Sequence, residues 1–419
     1  MMKLISVVFL SLVLTGCSSF GKGVVEAFLE KQEEKDTKVC EVFGKSFTGI
    51  EPSLVDEDRV SKVLKIHGVG HHVPGHSAEF LEKLAKELNM PVRDSHYKEI
   101  RLTHPQFPDK KLGILRVERL LNESETKELL YYELTWSEIT APKKAELEYD
   151  TYGESSYRRA DLNDVLKKFS NDTSPDPMIY LGSGHDEILM SFTTAFCWMM
   201  SANWDDLPEN TNKYCNPLSE NAIKNLSIDD YSFVSHSLGS RIVIDGMQKI
   251  VSRITDERED GQLSVKEATF IKNFQNKKIS IYMLSNQLPL LQMSRDKPEV
   301  TGQINEYCDA DAIHYKDRTV TKTEIIAFSD PNDILSYSIP RKFAENNFDS
   351  RLCIDIKNVS INVVDVIDLF GLGTVASPIG AHISYDSDDR VVALIANGVG
   401  NSNTTSLVKE KCKWIRLVN

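Results

Sequence analysis

A serine, a histidine and one of two aspartates lie along the second half of this chain in an order that suits acyl transfer. Ser237 sits in Ser235-His236-Ser237-Leu238-Gly239, between the apolar run Tyr231–Val234 and a helical pattern that starts near Ser240. A strand turning sharply into a helix with serine at the apex presents the hydroxyl on strained backbone. Small neighbours are needed because strand and helix nearly touch there. A serine hydroxyl is inert at neutral pH unless a base removes its proton during attack. His382, in Pro378-Ile379-Gly380-Ala381-His382-Ile383, is the candidate base. A buried carboxylate must then fix the tautomer of the histidine and stabilise the imidazolium. Asp333 and Asp330 both follow the apolar run Glu324–Phe328. Asp333 is favoured, because Asp330 stands where the turn Asp330-Pro331-Asn332 needs a capping residue.

The pentapeptide and the order serine, acid, histidine resemble the nucleophile elbow and triad of the α/β-hydrolase superfamily. The usual elbow is G-x-S-x-G; here Ser235 replaces the first glycine and is still small. The resemblance spans about residues 60–400. It implies an α/β-hydrolase fold: a mostly parallel central sheet flanked by helices, with a cap-like insertion at about 141–228 before the elbow strand. It also implies an oxyanion hole made of two backbone N–H groups. Leu238, next to the nucleophile, supplies one. In similar lipases the residue after a His-Gly pair supplies the other, which maps to Val69 behind His67-Gly68.

The hydropathy pattern provides elements to carry these residues. Val63–Gly68 reads as a strand running into glycine, and Ser77–Leu88 has one apolar helical face. Tyr97–Leu102 and Leu112–Val117 read as a strand pair, and Leu129–Trp136 as a buried strand. Strand signals are weak between Ala141 and about Ile228. From Tyr231 onward strands at Ile279–Leu284, Glu324–Phe328 and Val359–Val366 alternate with helices at Arg241–Val251 and Arg390–Ala396. That alternation implies a parallel sheet with crossovers.

The first residues resemble a bacterial lipoprotein signal. Lys3 is followed by the apolar stretch Leu4–Leu14, too short to span a membrane, and by Leu14-Thr15-Gly16-Cys17. The expected organisation is a signal peptide at 1–16, a lipid-anchored charged tether at 17–40 and the hydrolase domain at 41–419. Cys17 would carry the lipid. Ser18, rather than Asp, at the next position implies sorting to the outer membrane, facing the periplasm. The formal net charge is −13, which argues against nucleic acid as a partner. The other six cysteines allow fifteen pairings. The expected ones are Cys197 with Cys215, Cys308 with Cys353, and Cys40 with Cys412, the last tying the chain ends together.

Four histidines, His67, His71, His72 and His76, share one Gly- and Pro-rich loop. Without helical ligand spacing they do not argue for a metal, and no metal or cofactor is expected. His67 is expected beneath the site, within reach of substrate, with the others at its mouth, and His236 as a packing residue. The helix Ile188–Ser201, with Phe192, Phe196 and Trp198, is either a core helix or an acyl-binding wall. The expected activity is serine ester hydrolysis on a lipid or acyl-ester substrate through an acyl-enzyme. A thioesterase or amidase would use the same triad. A non-catalytic envelope-binding lipoprotein would predict a broken one.

Overall fold

The computed structural model describes residues 39–415 apart from 55–58, 91–95, 150–158, 209–213, 260–262 and 369–373. The signal peptide, Cys17 and nearly all of the expected tether therefore lie outside the described residues. Ten strands form one mixed sheet: β1 (Cys40–Phe43), β2 (Val60–Ile66), β3 (Tyr97–Thr103), β4 (Lys111–Leu121), β5 (Glu128–Thr135), β6 (Asp230–His236), β7 (Lys278–Leu284), β8 (Lys322–Ser329), β9 (Ile354–Ile361) and β10 (Lys413–Ile415). Their order is β10-β1-β9-β8-β7-β6-β2-β5-β4-β3. The six strands from β9 to β5 in that order run parallel. The β3–β4 pair and β1 run antiparallel to their inner neighbours. The expected tether boundary shifts slightly, because Cys40 already pairs with Ile361 in the sheet.

Eight longer helices matter here: α1 (Ala78–Glu87), α2 (Asp161–Thr173), α3 (Pro175–Leu181), α4 (His185–Ser201), α5 (Glu220–Ile228), α6 (Leu238–Glu259), α7 (Val265–Gln275) and α8 (Asp389–Asn397). They cover both faces of the sheet. Successive side chains of a strand point to opposite faces, so Ile325 and Ile326 enter different cores. One core packs α4, α6 and α7 on the sheet. The other packs α1 and α8 on its reverse. Strands buried on both faces read as continuous apolar runs, which is why β6 to β8 were visible in the sequence. Val359–Val366 was displaced: the strand lies at Ile354–Ile361, where Asp355 and Lys357 interrupt the run. Those charges are paired, Lys357 Nζ lying 2.9 Å from Asp355.

Among its described residues, the regular elements of the insertion between β5 and β6 are all helices. The chain leaves β2 toward β5, then returns to β6 and winds the other way through β7, β8 and β9. The two directions separate between β2 and β6, so their carboxyl ends open a crevice there. All three expected disulfides are present: Cys40–Cys412, Cys197–Cys215 and Cys308–Cys353.

Candidate active site

Ser237 terminates β6 with φ of 53°, a left-handed conformation uncommon for a residue with a side chain. Its N–H is held by the Leu284 carbonyl of the next strand at 2.9 Å. Two glycines make room for this turn. A Cβ on Gly239 would fall 2.7 Å from the Ile66 carbonyl oxygen, and one on Gly68 would fall 2.7 Å from Ser237 Cβ. The loop after β2 therefore passes directly against the turn. Ser235, at the departure from the usual pattern, places its Oγ 3.2 Å from Ser240 Oγ and so links strand to helix.

His382 Nε2 lies 3.2 Å from Ser237 Oγ. On its other side, Nδ1 lies 3.0 Å from Asp333 Oδ1. Asp333 is buried in the loop after β8 and also accepts from the Leu335 N–H at 3.0 Å. Burial pushes its carboxyl up, but His382, the Ser285 hydroxyl and the Leu335 N–H outweigh that and hold it below the usual carboxylate range. Asp330 does other work. Its Oδ1 accepts the Asn332 N–H at 2.7 Å, as expected of a turn cap, and its Oδ2 accepts the Val363 N–H at 2.7 Å.

Neither Val69 nor Leu238 donates its backbone N–H to any of the described residues. Both flank the nucleophile, one in sequence and one in the loop that touches it. That loop is firmly held. Gly70 N–H donates to Asp176 at 2.6 Å and His71 N–H to Asp172 at 3.0 Å, both from the insertion. Further along, the Gly75 and Ser77 N–H groups donate to the buried carboxylate of Glu133. Burial pushes the Glu133 carboxyl up, yet His76, Ser77 and Gly75 together bring it down to about 2.

His67 is corrected. Its Nε2 accepts the Trp136 N–H at 3.1 Å, its Nδ1 lies 2.8 Å from the Gly68 carbonyl, and its ring stacks on Trp136. Both nitrogens are occupied by backbone, so no polar atom remains for substrate. Burial, then His72 and His76, holds the ring neutral, well below the usual histidine range. His236 is a packing residue: its Nε2 meets the His382 carbonyl at 2.8 Å, and burial brings it down to about 4. Among the described residues no group of three His, Cys, Asp or Glu side chains is placed to hold a metal ion.

The acyl-wall reading of α4 is also corrected. Phe192 and Phe196 pack on Phe233, with ring centroids 5.6 and 5.1 Å away, and Phe192 fills the space left by Gly246. Trp198 lines a surface hollow with Tyr214, Cys215 and Glu220 that none of the triad residues borders. A helix apolar on nearly all sides belongs in a core, and this one runs back along the sheet away from the carboxyl ends.

Ser285 escaped the sequence reading. It ends β7 as Ser237 ends β6, with φ of 49°. Its hydroxyl donates to Asp333 Oδ2 at 2.6 Å and lies 2.8 Å from His382 Nδ1. A serine after an apolar run is an ordinary turn residue, and only the fold brings this one to the triad. Tyr385, also missed, accepts the Asp330 N–H at 2.6 Å and joins the two aspartate turns.

The arrangement can pass a proton from a buried hydroxyl to an imidazole whose far side faces a carboxylate. Comparison with protein-family models, curated proteins and solved structures finds no match to this chain.

Proposed function

We propose that the chain is a serine ester hydrolase of the α/β-hydrolase type. The observation that carries this is the relay Ser237–His382–Asp333, at 3.2 and 3.0 Å, built on a serine with φ of 53°. The crevice between β2 and β6, where the sheet reverses direction, supports the same reading.

In this mechanism Ser237 Oγ attacks the ester carbonyl carbon while His382 Nε2 takes its proton. Asp333 keeps the remaining proton on Nδ1 and stabilises the imidazolium. The Leu238 and Val69 N–H groups receive the developing oxyanion. Collapse breaks the C–O bond, and His382 returns the proton to the leaving alcohol. Water then attacks the acyl-enzyme by the same relay in reverse order, releasing the acid and restoring Ser237. An amidase or thioesterase would run the same steps with another leaving group.

The intact relay opposes the alternative of a hydrolase-fold binding lipoprotein without turnover. A fluorophosphonate probe tests this directly. Stoichiometric labelling at Ser237, blocked by Ser237→Ala, is expected; an unlabelled wild-type protein would overturn the reading. As a lipoprotein the enzyme would work at the cell envelope, anchored through Cys17 in the outer membrane.

A further inference from the structure

The helix α2 has a complete amphipathic pattern and buries nothing. Leu162, Val165, Leu166 and Phe169 fall at i, i+3, i+4 and i+7, yet none of its residues is buried. Such a stripe faces a core in a globular protein. Here Leu162 and Leu166 are half-buried while Val165 and Phe169 stand out, and Asp172 from the same helix holds the loop beside Ser237.

Other apolar side chains stand out around it. Met178 follows on α3, Met293 comes after β7, Ile334 follows Asp333, and Ile383 follows His382. With Val165 and Phe169 these residues are between 48 % and 85 % exposed. They come from four separate connections, all at the carboxyl edge of the parallel strands. Exposed apolar side chains gathered at one edge mark an interaction face.

The chain's entry point says what covers it. Cys40 pairs with Ile361, the last residue of β9, and Val39 accepts the Asn362 N–H at 2.9 Å. The described chain therefore begins at the same edge as the triad. Cys40 stands 23 positions after Cys17 in the sequence. A lipid on Cys17 would tether the body to the bilayer through this edge.

We propose that the carboxyl edge of the sheet docks on the lipid bilayer that holds the Cys17 anchor, with α2 lying against it. The docking rests on the lipoprotein reading, and its substrate consequence rests on the proposed hydrolase. Acyl esters would then be drawn from the enzyme's own leaflet rather than from the aqueous phase. Among the described residues no helix is long and apolar enough to cross a membrane, and the net charge of −13 gives anionic headgroups no attraction to the body.

The test uses the full chain, exported with its own leader in a Gram-negative host and reconstituted in phosphatidylethanolamine–phosphatidylglycerol vesicles. Mass spectrometry of the N-terminal peptide reads the anchor; an unlipidated protein overturns the proposal. Contact is read with acyl-brominated phospholipid. Quenching of the indole introduced by Phe169→Trp is expected, with none from Val265→Trp on the opposite edge. Equal quenching at the two positions, or none at 169, overturns docking. Turnover is read separately. The double substitution Val165→Asp, Phe169→Asp should lower hydrolysis of a vesicle-borne long-chain ester by about tenfold or more, from loss of apolar contact. It should leave a soluble butyrate ester within about twofold, because neither residue touches the triad. Unchanged vesicle turnover overturns the substrate consequence. Quenching at 169 in a protein without esterase activity would keep the docking and reject the hydrolase.

Discussion

The ends of β6 and β7 are neighbours built alike and used differently. Each closes on a buried serine in left-handed backbone, Ser237 with φ of 53° and Ser285 with φ of 49°. Both hydroxyls reach the same imidazole from opposite sides, Ser237 at Nε2 and Ser285 at Nδ1. What separates them is Asp333. It lies on the Nδ1 side, so Ser285 spends its proton on a carboxylate, whereas Ser237 faces the nitrogen left to act as base. A strained serine beside a histidine is thus not sufficient for a nucleophile. In the proposed mechanism the position of the acid decides which one attacks.

The most forceful way to break that comparison is to delete each hydroxyl in turn. Ser237→Ala should cost about four decades or more in kcat with the fold intact. Circular dichroism and turnover on a p-nitrophenyl ester would check both halves. If Ser285→Ala caused the larger loss, the roles would be reversed.

Next in size is the acid. Asp333→Asn should lower kcat by about three to four decades, since it leaves His382 without a charge partner. Asp330→Asn should stay within about tenfold in kcat while lowering Tm, because its partners are backbone N–H groups. A crippled Asp330 variant with an active Asp333 variant would exchange the two.

Ser285 itself should be worth less. Ser285→Ala and Ser285→Gly should each lower kcat by about ten- to a hundredfold with KM unchanged, the range expected for one hydrogen bond to a charged group. Glycine relieves the positive φ, so its Tm should exceed that of the alanine variant. Loss of KM instead of kcat would mean that Ser285 only shapes the crevice.

The smallest effect on the reaction concerns the loop across from these serines. Glu133 sits near 2 in the folded protein against an ordinary value of 4.5. Its lowered value stabilises the fold fully above pH 4.5 and ceases to as pH falls through about 2. Glu133→Gln should therefore cost on the order of 3 kcal/mol near neutrality and almost nothing at pH 2. Denaturant unfolding at the two pH values measures it. A pH-independent difference would reject the ion's role.

The part of the molecule legible in the sequence follows the same division. The strands β6 to β8 are short apolar runs, two of which end at Ser237 and at the Asp330–Asp333 turn, so Ser237, Asp333 and the later His382 could be placed in order without coordinates. Asp330 and Asp333 were separable because a turn cap has a recognisable position. The insertion was not legible in the same way. A helix such as α4, apolar on nearly all sides, looks the same whether it lines a core or a ligand, and here Phe192 and Phe196 line the core. His67 looked able to reach substrate because its backbone partners, Trp136 and Gly68, come from pairing that spacing does not reveal. Ser285 carries no local signal at all.

The disulfide between Cys40 and Cys412 also governs how the protein can be made. Its partners are 372 residues apart, and they join β1 and β10, the outermost strands beside β9. Cys40 is the first of the six to be synthesised and must wait for the last. Cys197–Cys215 and Cys308–Cys353, separated by 18 and 45 residues, can close on the way. One border of the sheet is therefore completed only after the remaining cysteines have been made. A chain halted before Cys412 would keep a free thiol at Cys40, by which a truncated chain could be told from a finished one.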